Sequence, residues 1–119
     1  MDVTSFNINI TSEHPERLAA FYRDIVGLEP NAQMGDGAFD VAGANFLIDG
    51  HSDTKGDNAD PQRTLINFFV DDLAAEQARL EAEGVRFIRT AGKEYWGGVI
   101  STFVDPDGNY AQIIEFKPE

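Results

Sequence analysis

Four primary amides, set among large apolar side chains, are the residues of this 119-residue chain whose types and spacing could do chemistry. Asn7 and Asn9 alternate with Phe6, Ile8 and Ile10. Asn67 lies between Leu65 and Phe69 in the same alternating sense, and Gln112 lies between Tyr110 and Ile114. An amide carries no charge to titrate; it supplies N–H donors and one carbonyl acceptor. Buried without a partner, it costs about 1–3 kcal/mol, so each must bond to another amide, to water or to a ligand. Uncharged amides among aromatic groups suit a partly enclosed cavity for a small organic molecule. The expected ligand-binding residues are Asn7, Asn9, Asn67, Phe69, Trp96, Phe103, Tyr110 and Gln112, the amides orienting a ligand and the aromatics covering it. Trp96, beside Tyr95 and Gly97-Gly98, reads equally well as a stacking wall, a loop anchor or a dimer contact.

Other polar clusters have simpler readings. Asp71-Asp72 precedes a helix-forming run and suits an N-cap. The acidic stretch from Asp53 to Asp60 lacks the spacing and terminal Glu of a calcium loop. Glu115 points away from Gln112 by strand parity and is expected in a salt bridge at the rim. No phosphate loop, hydrolase elbow or paired-carboxylate pattern of a glycosidase is present.

The elements that must position the amides follow from periodicity. Residues 5–11 alternate strictly, as a half-buried strand does. Pro15 opens a helix whose apolar face is Leu18, Phe21, Tyr22 and Ile25, and Gly27-Leu28 stops it. Short strands are expected near 32–34, 39–41 and 45–49, followed by a polar, exposed linker over 51–63. The order then restarts: strand 65–70, helix 73–83 stopped by Gly84, strand 85–89, a loop or hairpin over 91–98, strand 99–104, the turn Asp105-Pro106-Asp107-Gly108-Asn109, and strand 110–116. The fold class is therefore α+β: two tandem β-α-β-β-β modules, about 3–50 and 64–117, in a single domain over 1–119. The apolar strand faces (Phe6, Ile8 and Ile10; Ile66, Phe68 and Val70; Ala111 and Ile113) should meet the helices, leaving the amides on the opposite faces.

Composition narrows the partners. A chain of this length forms one domain without staples. With no cysteine there are no disulfides, thiolate metal sites or cysteine nucleophiles, which fits a reducing compartment; a cytoplasmic protein is expected. No signal-peptide pattern opens the sequence and no apolar run approaches membrane-spanning length. The net charge of −12 disfavours nucleic acid and anionic membranes as partners.

Two motifs carry a resemblance. Phe21-Tyr22-Arg23-Asp24-Ile25-Val26-Gly27-Leu28 resembles a signature of the vicinal oxygen chelate superfamily, and Asp105-Pro106-Asp107-Gly108-Asn109 with the strand after it resembles that family's last turn. The family includes glyoxalases, bleomycin-resistance proteins and extradiol dioxygenases. The resemblance implies modules that curl into a cupped mixed sheet with helices on its outer face, and often a homodimer. Catalytic members hold a divalent metal in the cup through His, Glu or Gln. The corresponding positions here are Asn7, Leu65, Gln112 and a residue near Ile48 or Asp49, a poor set for a metal. Neither His14, at a helix start, nor His51, in the linker, is expected in the cup. The reading is a metal-free, cofactor-free protein that binds a small molecule, with bleomycin-resistance proteins as the pattern. The alternatives are a metal-dependent lyase, isomerase or dioxygenase using Asp49 and Gln112, and a pocketless scaffold.

Overall fold

The repeated element order becomes two separate four-stranded sheets with the same strand order. A computed structural model describes residues 1–117. Contacts divide the chain into two units, Met1–Gly56 and a second beginning at Asp57. The strands are β1 (Asn7–Ser12), β2 (Glu29–Pro30), β3 (Ala38–Val41) and β4 (Ala44–Gly50) in the first unit. The second holds β5 (Ile66–Phe69), β6 (Phe87–Lys93), β7 (Val99–Val104) and β8 (Tyr110–Glu115). The sheets run β1-β4-β3-β2 and β5-β8-β7-β6. In each, the first strand lies at an edge, parallel to the last, and the other pairs are antiparallel. The two β-α-β-β-β modules expected from the sequence are present, each with its own mixed sheet.

Parallel strands need a crossover, and each unit supplies a helix. In the first, α1 (Pro15–Ala20) passes into a π-helical turn over Phe21–Val26, closed by Gly27 at φ 90°. There the amides of Gly27 and Leu28 both donate to the Tyr22 carbonyl. Leu18, Phe21 and Tyr22 are buried with Phe39, Phe46 and Ile48, and the Tyr22 ring meets Phe46 edge-on at 5.1 Å between centroids. In the second, α2 (Leu73–Ala82) is capped by the Asp72 carboxylate, which accepts the Ala75 N–H at 3.1 Å. Glu115 accepts the Leu73 N–H at 3.1 Å and stands 4.0 Å from Lys117. The expected rim carboxylate therefore also binds the helix start.

Three local expectations change. The second strand is Glu29–Pro30 rather than 32–34. β6 continues through residues assigned to a loop, because Ala91, at φ 46°, bulges out and its N–H is taken up by the Ser101 hydroxyl at 2.8 Å. The 51–63 segment is exposed but tied down. Thr54 shares a hydrogen bond with Thr11, the Gly56 N–H donates to Glu13 at 2.8 Å, and Asn58 donates to Asn109 at 2.9 Å. Among the described residues, no helix is long and apolar enough to cross a membrane.

Candidate functional site: amide rows on the helix-free strand faces

In the second unit, strand register lines up three polar side chains across three adjacent strands. Asn67 on β5 is opposite Gln112 on β8, and Gln112 is opposite Thr102 on β7. The Gln112 Nε2 donates to Asn67 Oδ1 at 2.9 Å, and the Thr102 hydroxyl donates to Gln112 Oε1 at 2.8 Å. Thr102 and Gln112 are buried, whereas Asn67 at the sheet edge is exposed. Phe69 and Tyr110 share this face, with Phe69 67% exposed. Four of the eight expected residues, Asn67, Phe69, Tyr110 and Gln112, thus lie on one surface.

Trp96 lies in the hairpin between β6 and β7, closed by the Glu94 N–H to Gly98 carbonyl bond at 2.8 Å. Its ring lies against Gly98 and meets Phe116 edge-on at 5.5 Å. The Phe116 contact holds the ring in the hairpin, and Trp96 stays 40% exposed. Phe103 is placed differently from the expectation. It is opposite Ala111 on the face that carries α2, fully buried, with its ring 5.6 Å from Phe87. Phe103 is a core residue and covers no ligand on the amide face.

The first unit has its own row. Asn7 and Asn9 face away from α1, as parity requires, opposite Asn45 and Leu47. Asn9 Nδ2 donates to Asp49 Oδ2 at 2.9 Å. Asp40 Oδ1 accepts from Asn31 Nδ2 at 3.0 Å and from Asn45 Nδ2 at 2.9 Å. The two rows differ in polarity. The first spends amide N–H groups on carboxylates; the second is uncharged.

Asp40, Asn45 and Thr102 were not among the expected residues. Thr102 could have been found by counting back symmetrically from the turn, since Val104 faces Tyr110 and Thr102 therefore faces Gln112. A separate pocket of about 420 Å³ opens in the first unit, lined by Pro15, Glu16, Arg23, Asp36, Ile48 and Asp49 among others. It contains none of the eight expected residues. Arg23 is already committed to Asp24 through bonds of 2.8 and 3.0 Å, a pairing that raises the guanidinium's pKa and lowers that of the carboxyl.

The register also tests the metal positions. Ile66 faces Ala111, so Gln112 lies two residues past the residue opposite Leu65. The same offset from Asn7, which faces Asn45, lands on Leu47 rather than on Ile48 or Asp49. The four positions are then Asn7, Leu47, Leu65 and Gln112: two neutral amides and two leucines. Divalent transition metals favour imidazole, thiolate and carboxylate, so this donor set does not fit one. Among the described residues, no three His, Cys, Asp or Glu side chains gather to hold an ion.

The chain resembles solved structures over nearly its whole length. It matches a glyoxalase/bleomycin resistance protein/dioxygenase family enzyme from Burkholderia phytofirmans PsJN with a TM-score of 0.75 and 19% identity, covering 93% of this chain and 97% of the other. It matches a lactoylglutathione lyase from Agrobacterium tumefaciens with a TM-score of 0.73 and 19% identity, covering 96% and 95%. A glyoxalase/bleomycin resistance protein/dioxygenase from Nocardioides aligns with a TM-score of 0.72 and 14% identity, covering 98% and 85%. At these identities the likeness is one of fold. No curated protein matches the sequence. A family model does match, over residues 6–113, bringing both motifs and both strand rows under one description: the chain belongs to the Glyoxalase/Bleomycin resistance protein/Dioxygenase superfamily.

Proposed function

We propose that this protein binds a small organic molecule on its amide-bearing strand faces and does so without a metal. The observation that carries the reading is the bonded row Asn67–Gln112–Thr102, in which a family ligand position is held by a neutral amide already engaged with its neighbours. Leu47 and Leu65 at two of the other positions support it. Asn7, Asn9, Asn67, Phe69, Trp96, Tyr110 and Gln112 remain the proposed ligand contacts. A single-domain chain working as a cytoplasmic homodimer belongs to the same reading. β1 and β5 are open sheet edges, and Phe6, Ile8, Leu65 and Phe69 are exposed along them. Such edges are commonly covered in natural proteins.

The deciding experiment is elemental analysis of tag-free protein, before and after exposure to Mn, Fe, Ni and Zn salts and desalting, with light scattering for the oligomeric state. No retained ion is the expected result. About one tightly held ion per chain would overturn it in favour of a metal-dependent lyase, isomerase or dioxygenase using Asp49 and Gln112.

A further inference from the structure

We infer that Thr102 sets the direction of the amide row, so that Asn67 turns its NH2 group outward and selects ligands carrying a neutral carbonyl oxygen on an apolar body. The inference rests on the small-molecule reading above and names the ligand class for the face of the second unit.

The row has two possible directions, because an amide can be turned end for end. Thr102 chooses between them. Its hydroxyl is buried, has Gln112 Oε1 at 2.8 Å, and donates to it. Reversing Gln112 would bring an NH2 to that hydroxyl and take away the acceptor its proton now has. An unmade donor in a buried position is costly. With the Gln112 carbonyl fixed toward Thr102, its NH2 faces Asn67 and takes the Asn67 carbonyl oxygen. Both ends of the choice are then settled, and no buried side-chain nitrogen or oxygen among the described residues lacks a partner.

The outward group of the row is therefore the Asn67 NH2, two N–H donors on an exposed side chain. Leu65 and Phe69, two residues to either side on the same strand face, are 43% and 67% exposed. A ligand seated there meets a donor flanked by apolar surface, so it needs an oxygen acceptor on an apolar, preferably aromatic, frame. The chain's net charge of −12 disfavours a carboxylate and leaves a neutral carbonyl as the matching group. The row of the first unit differs. Asn9 and Asn45 direct N–H groups to Asp49 and Asp40, so carboxylates stand among its amides.

The test uses the full chain, labelled with 15N and 13C, and three probes of one shape: benzamide, benzoate and benzylamine. A scalar coupling across the hydrogen bond from Gln112 Nε2 to the Asn67 side-chain carbonyl carbon is expected; a coupling in the reverse sense, from Asn67 Nδ2 to the Gln112 carbonyl carbon, overturns the inference. Benzamide is expected to shift the Asn67 NH2 resonances and to bind at least about fivefold more weakly to Thr102→Val, the worth of one hydrogen bond. Thr102→Ser should restore it. Unfolding curves of both variants show whether a loss of binding is merely a loss of fold. Binding of benzylamine in preference to benzamide would overturn the inference and leave the small-molecule reading standing. Absence of any shift with all three probes at millimolar concentration would overturn both.

Discussion

Gln112 on the last strand donates its side-chain N–H to the Asn67 carbonyl on the neighbouring edge strand, 2.9 Å away, so β8 and β5 are joined by side chains as well as by backbone. The bond has a measurable worth. Gln112→Ala removes the partner of buried Thr102 as well as that of Asn67, and should cost about 1–3 kcal/mol. Asn67→Ala, at an exposed edge, should cost about 0.5–1.5 kcal/mol. Urea unfolding of both single variants and the double variant should show coupling, because the residues share one bond. Strict additivity would mean that the bond contributes nothing in solution.

Phe103 tests the assignment of faces. As a core residue it should lose about 3–5 kcal/mol on Phe103→Ala, within the usual range for a buried aromatic truncation. Unfolding by urea measures this. A stable variant with altered ligand binding would put Phe103 back on the amide face.

Two glycines of the first unit should behave oppositely. A Cβ on Gly37 would run into the Ile48 backbone carbonyl, and the Gly37 carbonyl itself accepts the Ile48 N–H at 2.7 Å. Neither group can turn aside, so Gly37→Ala should destabilise by about 1–3 kcal/mol. A Cβ on Gly50 would meet the Pro15 Cγ at 3.5 Å, an ordinary contact, and Gly50 has no positive φ. Gly50→Ala should be neutral or stabilising by up to about 1 kcal/mol, through the unfolded chain. Thermal melts of the pair decide the matter.

Glu13 gives a pH dependence with a definite sign. The Gly56 N–H bonds to its carboxylate at 2.8 Å and lowers its pKa, helped by Lys55 and opposed by partial desolvation. A carboxyl lowered in the folded state stabilises folding above its ordinary range, and that contribution is lost as pH falls through the lowered value. Carboxyl titration by NMR should place Glu13 below the ordinary glutamate range, and Glu13→Gln should flatten the acid limb of the stability profile. An ordinary titration would mean that the linker contact does not persist in solution.

The sequence carried the architecture because alternation and helical spacing are strong where one face is buried and the other is not. β5 shows this, with Ile66 and Phe68 half-buried and Asn67 and Phe69 exposed. The same logic failed on β7, where Ile100, Ser101, Thr102 and Phe103 are all buried. A strand covered on both faces has no alternation to read, so its pattern gives neither the core side of Phe103 nor the amide-row side of Thr102. The bulge at Ala91 was hidden because its support, the Ser101 hydroxyl, is ten residues away. The π-helical turn at Phe21–Val26 leaves no trace in an i, i+3, i+4, i+7 pattern that an α-helix explains equally well. The face of Asp49 is set by its pairing with Thr11 on the neighbouring strand, which no local pattern encodes.

The parallel pairing of each first strand with the last strand of its own unit has a consequence for synthesis. Asn7 finds its partner in Asn45, and Ile66 finds its partner in Ala111. On the ribosome β1 emerges well before β4, and at about 5–20 residues per second the delay is on the order of seconds. Each unit is therefore born with one strand waiting for its neighbour, exposed to other nascent chains. Asn7 and Asn9 keep one side of the first such strand polar throughout that wait.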